Sequence, residues 1–204
     1  MFARIVLICL TTFISVAPAS ATESTRWNVA VGLRTHNLVG DGYVGIPTVE
    51  APLSDHRSGT GIGAELGYRF TQHIAARLVV EVYAHRGDVG SARTSVDVLS
   101  IRSFGTVDGF AYLRYGRQAI THDPIVDSAN GIRYGSYIGN LGGVGIGARY
   151  RLTPRISIGA DATYMYCRLH ARVRDDPSDI HDALPEKRDG TTWNVTLLSV
   201  GYHW

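Results

Sequence analysis

The chain has 204 residues, of which 45% are hydrophobic and 19% are charged, and this length fits a single domain. Its 20 lysines and arginines nearly balance 18 acidic residues, and no basic run is interleaved with aromatic residues, so a nucleic-acid-binding protein is excluded. Glycine is abundant, with 23 residues. A soluble domain and a membrane barrel share totals of this kind, so the fold prediction depends on residue patterns.

The N-terminus has the pattern of an export signal. Arg4 supplies a positive charge, residues 5–16 form a short apolar run, and Ala19-Ser20-Ala21 is a small-residue cleavage site. The apolar run is well short of the roughly 20 residues that a spanning helix needs. We therefore predict a signal peptide over residues 1–21 and a mature domain over residues 22–204.

Alternation of apolar with polar or small residues recurs along the mature chain. Within residues 74–85, for example, Leu78 and Val80 share one face while Arg77 and Glu81 share the other. Alternation of this length predicts strands with one apolar face. The fourth and fifth strands alternate less regularly, so their bounds are left open. The predicted strands cover residues 27–36, 59–70, 74–85, 93–104, 109–120, 144–152, 156–166 and 192–204.

The predicted connections alternate between short and long. The short ones are 71–73, 105–108 and 153–154, and the long polar ones are 37–58, 86–92, 121–136 and 170–191. Short turns on one side and long loops on the other are typical of an outer-membrane barrel. A soluble β-sandwich also alternates, but tyrosines near the strand ends and small residues on the opposite face favour the barrel. The predicted fold is all-β, an antiparallel up-and-down transmembrane β-barrel of about eight strands.

The polar faces of the predicted strands carry seven charged residues. An eight-stranded barrel has an interior just wide enough to be filled by side chains. Isolated charges would be costly there, so we predict paired charges that plug the lumen, with a narrow gated ion path as the alternative. The predicted network consists of Arg34, Glu65, Arg69, Arg77, Glu81, Arg149 and Asp161.

Three segments resemble the small outer-membrane β-barrels of Gram-negative bacteria, the OmpX/Ail and OmpA-type transmembrane group. These segments are residues 61–83, 142–164 and 197–204. The resemblance implies a location in the outer membrane and assembly by the barrel-assembly machinery. It also implies a C-terminal assembly signal, in which a tryptophan replaces the usual terminal phenylalanine. The residues of that signal are Leu198, Val200, Tyr202 and Trp204.

The resemblance specifies a class of protein and leaves three functions open. The first is a non-enzymatic surface protein for adhesion, immune evasion or envelope stabilisation, and the second is a narrow channel. The third is a lipid A-modifying enzyme, with His36, Ser58 and His85 near the outer rim, close to Asp41 or Asp88.

The expected partners are outer-membrane lipid and lipopolysaccharide, together with a host or envelope surface ligand. Arginines and a lysine near the last long loop are candidates to meet lipopolysaccharide phosphates as charge-assisted pairs. No cofactor is expected. The candidate basic residues are Arg168, Arg172, Arg174, Lys187 and Arg188.

Overall fold

The computed structural model describes residues 26–39, 58–85, 89–127, 131–176, 179–181 and 187–204. No helix among these residues is long and apolar enough to cross a membrane. The predicted signal peptide and its cleavage site lie outside the described residues. The strands are β1 (Trp27–Val39), β2 (Ser58–Arg69), β3 (Ile74–His85), β4 (Val89–Phe104), β5 (Val107–Asp127), β6 (Gly131–Arg151), β7 (Ile156–Asp176), β8 (Asp179–His181) and β9 (Lys187–His203).

Eight of these strands close into an antiparallel barrel. Neighbours from β1 to β7 pair in chain order, β7 pairs with β9, and β9 pairs with β1 to complete the ring. The three-residue β8 pairs with the end of β7, beyond the region where β7 pairs with β9. The predicted fold class is therefore confirmed, and β8 is an addition that the sequence did not predict.

Each barrel strand points one set of side chains outward and the next set into the lumen. On β3, Leu78 and Val80 are 44% and 46% exposed, whereas Val79 and Glu81 have no exposed surface (0%). This is the register that the sequence alternation predicted. Because the barrel has no free sheet edge, its backbone groups are paired all the way round.

A β-bulge in β9 reverses the alternation once. Leu33 of β1 pairs with Leu198 of β9, and the next residue of β1, Arg34, pairs with Thr196, so β9 holds one extra residue at this point. Leu197 and Leu198 consequently both face outward, at 60% and 48% exposure. Trp193 and Val195 therefore stand on the same outer face as Val200 and Tyr202.

Three short turns lie at one end of the barrel, which we call the turn end. The β4–β5 turn places Gly105 at a φ of 65°, a left-handed conformation that glycine adopts without strain. The β2–β3 and β6–β7 turns resemble each other. The hydroxyls of Thr71 and Thr153 accept hydrogen bonds from the Ile74 and Ile156 backbone N–H groups at 3.0 and 2.9 Å.

The opposite end, which we call the hairpin end, departs from the predicted connections. The predicted loops 121–136 and 170–191 are wrong over most of their length. Strands β5 and β6 extend into the first segment, and β7, β8 and β9 cover most of the second. Similarly, β4 begins at Val89, within the predicted loop 86–92. At the first predicted loop, 37–58, β1 continues to Val39 and β2 begins at Ser58, and residues 40–57 lie outside the described part.

Outward apolar side chains form a band that is bordered by aromatic residues at both ends. Trp27 packs against Tyr68 with ring centroids 4.7 Å apart, and Tyr164 packs against Trp193 at the same distance. Aromatic belts of this kind sit at membrane interfaces. The turn-end girdle comprises Trp27, Tyr68, Phe70, Phe104, Tyr150, Tyr202 and Trp204. The hairpin-end girdle comprises Tyr115, Tyr164, Tyr166 and Trp193.

Candidate functional site: the charged barrel interior

A buried arginine lies at the middle of the lumen. Arg114 donates from Nε and Nη2 to both carboxylate oxygens of Asp97, at 2.7 and 2.8 Å, in a two-pronged contact. It also donates to Glu81 Oε1 at 3.3 Å. Asp97 and Glu81 have no exposed surface (0%). Two parallel bonds fix the plane of the guanidinium as well as its position.

Two further arginines extend these contacts toward the turn end. Arg34 joins Glu65 and Glu81. Arg77 contacts Asp97 at 2.6 Å, Glu65 at 3.1 Å and Asp161 at 3.4 Å. Each of these two arginines therefore links carboxylates from different strands, which ties the walls of the barrel together.

The same network reaches the hairpin end through Arg93. Its Nη1 donates to Glu81 Oε2 at 3.1 Å, and its Nη2 lies 3.3 Å from Gln118 Oε1 and 3.1 Å from His36 Nε2. On the opposite side, Arg149 contacts Glu65 at 3.5 Å. Among the described residues, the network thus combines five arginines with four carboxylates: Arg34, Arg77, Arg93, Arg114, Arg149, Glu65, Glu81, Asp97 and Asp161.

An aromatic ring fills the space between the arginines. The Arg77 and Arg114 guanidiniums lie 4.4 and 5.4 Å from the centroid of the Tyr112 ring, which is within cation–π range. The Tyr112 hydroxyl donates to Asp161 Oδ1 at 3.0 Å. The Tyr112 ring has room because its register partner on β6 is Gly145, where a Cβ would overlap the ring.

A smaller charged cluster lies at the turn end. Asp108 accepts hydrogen bonds from Arg151 at 2.6 Å, from Arg69 at 3.2 Å and from Ser103. Arg69 and Arg151 are partly exposed, with 19% and 34% of their side-chain surfaces accessible. Water therefore reaches this cluster, in contrast to the network in the middle of the barrel.

The structure brings six of the seven predicted residues into the central network. The seventh, Arg69, belongs to the turn-end cluster because it lies four residues closer to the β2–β3 turn than Glu65 does. The prediction missed Arg93, Asp97 and Arg114, which stand on the less regular fourth and fifth strands. Their signal was present, since Arg93 and Asp97 are spaced by an even number of residues on β4.

The middle of the lumen is filled. Arg34, Val79, Glu81 and Met165 expose between 0% and 2% of their surface to a water-sized probe. Packed side chains of this kind leave no room for water around these four residues. An interior filled by side chains is expected for eight strands.

The candidate catalytic residues of the alternative enzyme do not come together within the described residues. Ser58 faces outward and donates to Asn37 Oδ1 at 2.8 Å, while His36 and His85 are buried in the lumen. Two serine hydroxyls do lie beside histidines: Ser91 Oγ is 2.9 Å from His85 Nε2 near the hairpin end, and Ser157 Oγ is 2.8 Å from His203 Nε2 near the turn end. The acidic candidates at positions 41 and 88 lie outside the described residues. Within the described residues, no group of His, Cys, Asp or Glu is arranged to hold a metal ion.

Comparison with known proteins identifies the family. The sequence model described as the outer membrane protein beta-barrel domain matches residues 6–203. The chain belongs to this family. As a member of the outer membrane protein β-barrel family, it is located in the outer membrane. Its turn end therefore faces the periplasm and its hairpin end faces the cell exterior, as in other bacterial barrels of this kind.

Solved structures agree with the fold. OprG of Pseudomonas aeruginosa has a TM-score of 0.57 and 14% identity, over 90% of this chain and 98% of that one. Neisserial surface protein A has a TM-score of 0.53 and 12% identity, over 87% and 97%. AlkL has a TM-score of 0.50 and 13% identity, over 93% and 96%. At such identities the likeness shows the fold alone. Among curated proteins, no match to the chain was found.

Proposed function

We propose that this protein is a non-enzymatic surface barrel, whose interior is a structural plug and whose exterior hairpins and loops contact partners. The observation that carries the proposal is the filled lumen, in which Arg114, Asp97 and Glu81 are buried and paired. Such a barrel is a rigid support, and its exterior hairpins and loops make the contacts with other molecules. The activities that fit are adhesion, immune evasion and envelope stabilisation.

The length of the strands supports a role for the exterior end. A strand of 21 residues, such as β5, is about 70 Å long at about 3.3 Å per residue. Crossing an apolar band of roughly 25 Å at a tilt of about 45° uses about 35 Å of strand. About half of β5, β6 and β7 therefore extends beyond the lipid, and these segments are paired by backbone hydrogen bonds, with one β-bulge in β5 between His122 and Ile125.

The filled lumen argues against the channel. We expect the purified barrel, inserted in a planar bilayer, to give no discrete conductance steps. The variant Arg114→Ala is the positive control. Removal of this central side chain opens a gap in the plug beside Asp97 and Glu81, so this variant should conduct. Regular conductance steps from the unaltered protein would contradict the plug.

At the exterior end, where lipid A lies, the lipid A-modifying enzyme is favoured by the contact between His85 and Ser91. Both residues are buried inside the barrel wall, at 8% and 6% exposure, so a lipid substrate would have to enter the lumen to reach them. We therefore expect lipid A from cells with and without the gene to have identical acyl-chain masses. A mass change that Ser91→Ala abolishes would establish the enzyme instead.

The role of the exterior end is tested by shortening one hairpin. Ile120 and Tyr137 are paired across β5 and β6, so residues 121–136 can be replaced by Asn-Gly without a change of register. We expect the shortened barrel to fold and to lose at least one of three phenotypes of cells that carry the intact chain. These are adhesion to immobilised extracellular-matrix proteins, survival in serum, and exclusion of vancomycin.

The matched control is a three-residue Gly-Ser-Gly insertion after Gln72, which alters the periplasmic end and should leave the three phenotypes intact. If neither gene deletion nor hairpin shortening changes any of them, the proposed surface role is wrong.

A further inference from the structure

The positive and negative charges inside the barrel do not balance. Among the described side chains that face the lumen, seven arginines stand against five carboxylates, which leaves an excess of two positive charges. Charge without a counterion is costly inside a protein, so a negative group that reached these arginines from outside would be bound favourably. The arginines are Arg34, Arg69, Arg77, Arg93, Arg114, Arg149 and Arg151, and the carboxylates are Glu65, Glu81, Asp97, Asp108 and Asp161.

The excess lies at the turn end, which faces the periplasm. The ion pair between Arg149 and Glu65 is long, at 3.5 Å, and Glu65 also binds two other arginines. The register partner of Arg149 on β5 is Asp108, which is already bound by Arg69 and Arg151. Three arginines therefore lie beside a single aspartate, and we call Arg69, Asp108, Arg149 and Arg151 the periplasmic mouth.

The arginines of the periplasmic mouth keep N–H groups for a ligand. In their hydrogen bonds to described residues, Arg69 and Arg149 each donate only from Nη2, and Arg151 donates from Nε and Nη2. Between 15% and 34% of the surface of each side chain is exposed. A solute in the periplasm therefore reaches these guanidiniums without disturbing the packed middle of the lumen.

The wall of the barrel separates these arginines from the membrane lipid. Arg149 and Arg151 stand on either side of Tyr150, which points outward, so both arginines point into the lumen. A ligand therefore approaches along the barrel axis, from the periplasm. An interior of eight strands is only wide enough for side chains, so the mouth admits one extended segment and excludes a folded domain.

We propose that the periplasmic mouth binds an acidic peptide segment, with one carboxylate of the segment on Arg149 and a second on Arg151. The two arginines are two positions apart on β6, which is about 6.6 Å at about 3.3 Å per residue. Alternate side chains of an extended peptide have the same spacing and share one face, so a Glu-x-Glu segment presents two carboxylates to two guanidiniums. Guanidinium–carboxylate pairs are among the stronger hydrogen-bonded contacts, and two carboxylates neutralise the excess charge.

The proposed peptide site is separate from the proposed surface role. The exterior hairpins lie at the opposite end of the barrel, and the packed middle of the lumen stands between the two ends. Failure of one proposal therefore leaves the other unchanged.

The test measures binding of the peptide acetyl-Glu-Ala-Glu-amide to the mature barrel in non-ionic detergent, by isothermal titration calorimetry at low ionic strength. We expect the double variant Arg149→Gln/Arg151→Gln to bind at least about tenfold more weakly, since two charge-assisted contacts are lost. Arg155→Gln is the matched control, because it removes an exposed arginine from the nearby β6–β7 turn and should bind as the unaltered protein does. The peptide acetyl-Gln-Ala-Gln-amide should bind the unaltered barrel as weakly as the acidic peptide binds the double variant.

A second variant should bind more tightly. Asp108→Asn removes the negative charge of the mouth and releases Arg69 and Arg151 from their carboxylate, so we expect the acidic peptide to bind about fivefold more tightly. This gain keeps the proposal testable if the double variant does not fold.

Three outcomes would overturn the proposal. The first is an affinity that Asp108→Asn leaves unchanged or lowers, and the second is an equal loss of affinity in Arg155→Gln and in the double variant. The third is displacement of the peptide by an equal concentration of inorganic phosphate, or of phosphatidylglycerol added to the micelles. That result would assign the mouth to a small anion or to a lipid headgroup instead of a peptide.

Discussion

Replacement of Glu81 by glutamine tests whether the central network is dry. Glu81 contacts Arg34, Arg93 and Arg114. After the change, Arg34 keeps Glu65 and Arg114 keeps Asp97. Among the described residues Arg93 has no other carboxylate, so it would face only the neutral groups of its remaining neighbours. The substitution preserves shape and volume, so its effect reports on charge rather than on packing.

The expected cost follows from that one stranded charge. Removal of one partner of a fully buried ion pair destabilises a protein by about 3–5 kcal/mol, because the remaining charge is left without water or a counterion. The network also becomes more positive, since five arginines would face three carboxylates rather than four. We therefore expect Glu81→Gln to lower the free energy of unfolding by about 3–5 kcal/mol. The additional substitution Arg93→Gln should restore part of the lost free energy of unfolding. A double-mutant cycle of the two substitutions gives the interaction energy between Glu81 and Arg93.

The measurement is reversible unfolding by urea in detergent micelles. Tryptophan emission reports it, because Trp27, Trp193 and Trp204 all lie on the outer face. Asp108→Asn is the matched control: its partner Arg151 is partly exposed, so we expect a loss of about 1 kcal/mol or less. If the two variants shift the unfolding midpoint equally, water reaches Glu81 and our interpretation of the lumen as a dry plug is refuted.

Three further outcomes are expected. Val80→Arg places a charge on the lipid face and should cost about 2–4 kcal/mol. With Cys167 removed and a spin label attached through a new cysteine, lipid-phase quenchers should reach position 80 but not position 79; equal shielding of Val80 and Val79 would contradict the register. Trp204→Ala should slow outer-membrane assembly while Trp204→Phe preserves it, measured by the heat-dependent gel shift, and equal behaviour would remove Trp204 from the assembly signal. The mass of the exported protein should correspond to a chain beginning at Thr22, and an intact N-terminus would refute the predicted signal peptide.

The membrane-spanning strands were the part of the fold that the sequence predicted best. In the apolar band every second side chain faces lipid, which cannot solvate a polar group, so the alternation has to be kept. Residues 74–85 were predicted with the same bounds that β3 has in the structure. The pairing of β2 and β3 as a tight hairpin was predicted from the three-residue gap between the two predicted segments, and the two strands are paired in the structure.

The projecting hairpins could not be predicted in the same way. Beyond the aromatic girdle both faces of a strand meet water or other polar groups, so apolar alternation is no longer required there. Residues 121–127 and 131–136 are hydrogen-bonded strand by backbone pairing, yet they read as polar loop. Backbone hydrogen bonds form regardless of side-chain polarity, and a periodicity argument cannot detect them.

The fourth and fifth strands were obscured by an apolar cluster inside the barrel. Leu99, Ile101, Phe110 and Tyr112 are buried in the lumen near the turn end. Several outward neighbours, Val98, Ala111 and Leu113, are apolar as well, whereas Ser100 and Arg102 on the outward face of β4 are polar. Apolar residues therefore occur on both faces and polar residues on the lipid side, so the period of two is lost. The same feature explains why Asp97 and Arg114 were missed, since the face of each residue could not be assigned without that period.

The pairing within the lumen lies beyond what alternation can determine. Alternation tells which charges point inward, but the choice of partner depends on strand tilt and on the height of each residue along the barrel axis. Arg77 and Asp161 are 84 positions apart in sequence and meet only because the closed ring brings β3 and β7 to face each other across the lumen. Arg69 has the same inward parity on the neighbouring strand, yet it lies at another height and pairs with Asp108. A sequence therefore predicts the composition of such a plug from parity alone, and its division into a dry centre and a wet rim only once the barrel geometry is known.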